Sequence, residues 1–257
     1  MSRPQRTTFA AAATGAIAGL ACLILGAWGG TPGRSTTGSL PAARIVRLSE
    51  VALAKQRTFV LAGTIRSGAA IIGLRLVSGD GGAVSEGVLD SNAKSVGFVG
   101  TIRYIAVHGT FFVDAAAPFW GQFVTAGASL SSAQAAKIVA ALSGRWIVLG
   151  PSYTKSLTHD LGALTSPRSV ATGVLQNQGT VVKRKETMLH GVRALPLSSS
   201  GGGTLYVALD GPPLPLQISG SGGGTSGRIV FSYPKSVRIA PPRGARTLAQ
   251  VTATVVG

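Results

Sequence analysis

The stretch Leu205–Pro241 reads LYVALDGPPLPLQISGSGGGTSGRIVFSYPKSVRIAP, and its punctuation indicates the kind of fold. Short runs of Val, Ile, Leu, Phe and Tyr are cut by Asp-Gly-Pro-Pro and by a Gly/Ser block. Glycine supplies positive φ, proline presets a turn, and branched or aromatic runs between them suit strands. Strands are therefore expected at Thr204–Leu209, Leu214–Ser219, Gly227–Tyr233 and Val237–Ile239, joined by loops at Gly211–Pro213 and Gly220–Ser226. Gly222-x-Gly224-x-x-Gly227 matches a dinucleotide fingerprint in form only. That motif has meaning when a helix follows it, and here a strand-like run does. The block reads as a long flexible hairpin loop.

The same texture extends outward. Thr180–Leu189 and Val192–Ser198 precede this stretch as further strands, with Ser199–Gly203 as a tight loop. Near the other end, Phe59–Arg66, Ile71–Val77, Val84–Leu89, Val96–Val99, Thr101–Val107 and Thr110–Asp114 recur at similar spacing, with SGDGGA (78–83) as one turn. The middle differs. Ala115–Thr125 and Leu130–Leu142 read as helices, the second with Ala135, Ile138 and Leu142 on one face, a serine N-cap and a Ser143–Gly144 stop. A strand at Arg145–Leu149 and a helical stretch at Tyr153–Leu164 follow. Ser166-Pro167 then opens a short helix toward Gln176. Strands, helices, then strands argue for one α+β domain with an antiparallel sheet or barrel.

The chain has 257 residues, 24 Lys+Arg against 8 Asp+Glu, a formal charge of +16, 45% hydrophobic residues and 36 glycines. That apolar content excludes a disordered basic tail, and the Gly, Ser, Thr and Val content excludes a coiled coil. One cysteine excludes an internal disulfide framework and a cysteine-based zinc site.

Arg3 and Arg6 precede an uncharged stretch whose apolar heart runs from Phe9 to Trp28, about the 20 residues that a bilayer span needs. Residues 1–33 read as a signal peptide or membrane anchor, and both place the remainder outside the cytoplasm. Cys22 raises lipidation, as in bacterial lipoproteins. Leu20 stands one place too close to it, and the chain stays apolar through Trp28, so the residues argue against it. Residues 34–43 form a flexible linker and 44–257 the folded domain. Residues 1–43 hold Arg3, Arg6 and Arg34 and no acid, so the domain keeps +13 of the +16.

Catalytic chemistry is sparse. His108, His159 and His190 lack metal-ligand spacing, the carboxylates stand singly, and no nucleophile elbow occurs. Lys183-Arg184-Lys185 lies in a strand-like run on an exported chain, which disfavours nucleic acid as partner. Widely spaced Arg66, Arg75, Arg103, Arg145, Arg193, Arg228 and Arg238 read as a solvated sheet face, with attraction to anionic headgroups as a functional reading. A non-enzyme without cofactor or metal is expected.

The C-terminal stretch resembles the exported actinobacterial lipoproteins of the LppX/LprAFG family, which share the lipoprotein-localisation-factor (LolA-like) fold. Phe59–Gly63 after a short helix at Leu48–Lys55, Arg103–Val113 with Phe119-Trp120, and Gly144-Arg145-Trp146-Ile147 match in order. The resemblance implies a strongly curved antiparallel half-barrel wrapped around a few helices, enclosing an apolar cavity for acyl chains. It also implies a lipid or lipoglycan ligand and an envelope location, with other envelope proteins as further partners. It carries no catalytic residue. Alternation places Phe59, Leu61 and Ile65 on one strand and Ile72, Leu74 and Leu76 on the next. With Phe98, Ile138 and Leu142 these are the candidate cavity lining. The competing reading is a structural or interaction module of the same fold whose core these residues fill.

Overall fold

The computed structural model describes residues 39–92, 99–125, 131–150, 166–172, 180–222 and 224–256. The segment 1–33, Cys22, Phe98, the strand expected at Val96 and the helix expected at Tyr153–Leu164 lie outside the described residues, in whole or nearly so. Among the described residues no helix is long and apolar enough to cross a membrane.

Helix α1 (Ala42–Ala54) starts earlier than the Leu48 expected. It turns Ile45, Val46, Ser49 and Leu53 inward, a stripe at helical spacing. A meander follows: β1 (Phe59–Ser67), β2 (Ala70–Gly79), β3 (Val84–Ser91), β4 (Gly100–Val107) and β5 (Thr110–Ala115). Next come α2 (Ala117–Thr125), α3 (Ser132–Leu142), β6 (Ile147–Val148) and α4 (Pro167–Val170). The second run of strands is β7 (Val181–Lys183), β8 (Thr187–Leu189), β9 (Val192–Ser199), β10 (Gly203–Ala208), β11 (Pro215–Gly222) and β12 (Thr225–Ser232). The chain closes with β13 (Arg246–Thr247) and α5 (Leu248–Val256), neither of which the sequence reading anticipated.

These strands form one large curved sheet in the order β13-β6-β5-β4-β3-β2-β1-β12-β11-β10-β9-β7, with β8 also on β9. Every pairing is antiparallel except the short β13–β6 edge. The expected α+β class with a curved antiparallel sheet is what the structure holds. Its logic is simple: two local meanders meet where β1 pairs with β12, from Val60↔Ser232 to Ser67↔Thr225.

Local chemistry explains the ends of the elements. Ser131 caps α3 in a full capping box with Gln134, and Ser166 with Pro167 starts α4 as expected. His108-Gly109 and His190-Gly191 are two-residue hairpin turns with positive φ at both positions. Two of the three histidines thus serve as turn residues.

Three local readings are corrected. Thr180–Leu189 is two strands, β7 and β8, broken at Arg184–Glu186, along one edge. Val237–Ile239 is irregular, flanked by Pro234 and Pro241. The block Gly220–Ser226 is mostly paired strand: β11 and β12 run together up to Gly222↔Thr225. Glycine is there because backbones come close. A Cβ on Gly220 would sit 3.2 Å from the Gly203 Cα, and one on Gly227 3.1 Å from the Thr64 carbonyl oxygen.

Candidate functional site

Cross-strand pairing lines up one face of the sheet. Leu197, Leu205, Ile218, Ile229, Gly63, Leu74, Leu89, Ile102 and Ala115 are successive partners on nine adjacent strands from β9 to β5. No polar side chain interrupts this ladder. Period-two alternation puts these residues on one side and Thr64, Arg75, Glu86 and Arg228 on the other.

Helices cover the apolar side. α2 packs on α3 and α3 on α5, whereas α1 packs on α4 and on the edge strand β7. α4 also reaches the 3-10 turn between β2 and β3. Trp120 of α2 is fully buried, with Phe119 edge-on to it at 5.1 Å.

All eight described candidates for the cavity lining are brought into this one apolar cluster: Phe59, Leu61, Ile65, Ile72, Leu74, Leu76, Ile138 and Leu142. The ninth, Phe98, lies outside the described residues. The sequence reading missed Leu89, Ile218 and Ile229, although the alternation in Gly227–Tyr233 already carried the signal for the last. Packing differs along the face. Phe59, Leu61, Ile65, Leu76 and Leu142 are 0–1% exposed, whereas Leu74, Leu89 and Ile229 keep 5–7%. A side chain that borders open space keeps surface that a water can touch, so the ladder from Ile229 to the half-buried Ile102 is less tightly closed than the row at Phe59, Leu61 and Leu76.

The opposite face is polar, and its charges are largely matched. Arg75 lies 3.9 Å from Glu86. At the exposed start of β9, Arg193 bridges Glu186 at 3.0 Å and Asp210 at 3.1 Å, although alternation puts it on the side of Leu195 and Leu197. Arg228 donates to Gln217 at 2.6 Å and meets the His190 ring nitrogen at 3.2 Å. Near the β6 edge Arg103 pairs with the buried Asp114 and stacks over Trp146, 5.6 Å from its centroid. Among the described residues no group of three His, Cys, Asp or Glu side chains could hold a metal ion.

Two phenols, buried Tyr104 and half-buried Tyr233, add a pH signature. Burial pushes Tyr104 and Tyr233 well above the usual tyrosine range, and Tyr233 donates to the Pro215 carbonyl at 2.6 Å. A raised folded pKa leaves stability intact below the unfolded value near 10 and removes it as pH rises beyond. Unfolding in urea should therefore lose about 1.4 kcal/mol per pH unit per tyrosine above roughly pH 10. Tyr104→Phe and Tyr233→Phe should each flatten that slope; an unchanged slope would refute the assignment.

No protein-family model matches the chain, and no curated protein matches it. Solved structures do. The lipoprotein LppX of Mycobacterium tuberculosis is 12% identical, with 77% of this chain and 98% of that one covered at a TM-score of 0.45. LprF from Mycobacterium bovis is 11% identical, covering 84% and 100% at a TM-score of 0.47. MucB is 11% identical over 82% of this chain and 65% of its own, at a TM-score of 0.35. The solved structures that this chain is similar to thus include members of the family that the C-terminal stretch resembles.

Proposed function

We propose that this chain is an extracytoplasmic envelope protein that binds or carries a lipid or another apolar ligand between its sheet and helices. It does so without catalysis. The observation that carries the reading is the unbroken nine-strand apolar ladder. Its centre at Leu74, Leu89 and Ile229 is less tightly closed than the row at Phe59, Leu61 and Leu76. An acyl chain needs a continuous apolar wall with few polar groups, and this face offers one. One buried polar atom supports it. Ser49 faces inward from α1, fully buried, and its hydroxyl has no hydrogen-bond partner among the described residues. Such an atom is costly unless a water or a ligand's polar group satisfies it. The location follows from residues 1–33, read as an export signal or anchor.

A second reading has its own observation. The near-zero exposure of Phe59, Leu61, Ile65, Leu76 and Leu142 fits a filled core, as in a structural module that docks on other envelope proteins. Full-length chain purified from its own membranes in mild detergent separates the two. Solvent extraction and mass spectrometry should find lipid near one molecule per chain. Leu89→Trp, which fills the centre of the ladder, should reduce occupancy with little change in melting temperature. A lipid-free chain that also fails to bind an apolar fluorescent fatty acid would establish the filled core instead.

A further inference from the structure

The described chain begins at Ser39, and α1 is its first element. The inward stripe of α1 is apolar, but the outward stripe is unusual. Arg44, Arg47, Leu48, Val51 and Lys55 follow one another at helical spacing, and all face solvent. Leu48 is 36% and Val51 51% exposed. No acid stands on this stripe. Glu50 lies half-buried at its flank, where burial raises its carboxyl and Arg47 opposes the shift. Exposed Arg168 on α4, which packs against α1, adds a fourth cation. No described carboxylate forms a salt bridge with Arg44, Arg47, Lys55 or Arg168, in contrast to Arg75, Arg103 and Arg193.

Exposed aliphatic side chains flanked by cations that no described carboxylate bridges are what an anionic bilayer surface attracts: the cations meet headgroups and the aliphatics enter the acyl boundary. Position agrees with chemistry. Arg44 follows Trp28, the end of the apolar segment, by 16 residues, so α1 stays within about 55 Å of a bilayer that holds that segment.

We infer that the outer stripe of α1, with Arg168, docks the domain on a membrane surface rich in anionic lipids. This rests on the reading of residues 1–33 as an anchor and is independent of whether the interior carries a ligand. Docking there would hold α1, and the sheet behind it, against the leaflet.

Full-length chain carrying Cys22→Ala is reconstituted in vesicles of phosphatidylcholine alone or with about one third phosphatidylglycerol. A spin label at Val51→Cys reports immersion through its accessibility to oxygen against a water-soluble nickel chelate. The same label at Thr64→Cys, on the opposite sheet face, is the aqueous control. The Val51 label should be immersed only on the anionic vesicles, and high salt should release it. Each cation near the surface contributes about fivefold, so Arg44→Gln, Arg47→Gln, Lys55→Gln and Arg168→Gln together should reduce the docked fraction at least tenfold. These exposed changes should leave the circular dichroism unaltered. A Val51 label as aqueous as the Thr64 label on anionic vesicles overturns the docking and leaves the anchor standing, as it would if the stripe served an acidic protein. A chain that floats with neither vesicle overturns both.

Discussion

Gly63→Val is expected to lower the unfolding free energy by about 3 kcal/mol or more. Gly63 sits in β1 where the two meanders join. A Cβ there would lie 2.1 Å from the Arg228 carbonyl oxygen and 2.8 Å from the Ile229 Cα. Both contacts are backbone, so no side chain can swing aside, and β12 itself must move. Moving it strains the ladder pairing on either side, at Ala62↔Val230 and Thr64↔Arg228, and the packing of Ile229 behind it. Gly73→Val is the control. It lies opposite Thr64 on the outer face, and its Cβ would meet only the Asp90 Cβ at 3.8 Å. Urea unfolding should place Gly73→Val within about 0.5 kcal/mol of the parent. Equal losses at the two positions would show that strand entropy, not crowding at the junction, governs both.

Arg103→Met should cost about 2–3 kcal/mol, because it strands the carboxylate of Asp114. That side chain is 4% exposed, whereas Arg103 is 54% exposed and also stacked on Trp146. The asymmetry decides the sign of each variant. Losing the arginine leaves a buried charge without its counter-ion, whereas losing both charges leaves an apolar pair on a face that Phe112 already shares. The double variant Arg103→Met with Asp114→Leu should recover most of the loss, giving a coupling energy near 2 kcal/mol in a double-mutant cycle. Additive losses in denaturant unfolding would show that the arginine acts through Trp146 alone.

Much of this architecture is readable from residue patterns, and its gaps have physical causes. The strands around Phe59–Arg66, Ile71–Val77 and Thr101–Val107 are legible because alternation and turn residues agree there. The Ser166 cap is legible because Ser followed by Pro at the first helical position marks a helix start, whereas the pattern alone leaves Ser131 and Ser132 as alternatives for the other cap. Gly220–Ser226 misleads because glycine signals both a turn and a close backbone approach, and only the paired partner distinguishes them. Thr180–Leu189 misleads because apolar and basic residues share a run, and the break at Arg184–Glu186 depends on which neighbour is available. β13 and α5 were invisible because Arg246-Thr247 acquires strand character only by meeting Ile147 and Val148 across the chain. The candidate site is harder still. Leu74 and Leu76 have the same chemistry and are both buried, yet one keeps 6% of its surface and the other 1%, and nothing local to either residue records the difference.

The junction between β1 and β12 also sets a timetable. Val60 meets Ser232, so that pairing closes a loop of about 170 residues, at an entropic cost of about 4–5 kcal/mol before any contact repays it. Hairpins within each meander close short loops and form on their own. During synthesis β1 therefore emerges with one flank occupied by β2 and the other bare until β12 appears. At ordinary elongation rates that interval is on the order of 10–30 seconds. For that time the centre of the finished sheet is an open edge, the place where a second nascent chain would bind in error.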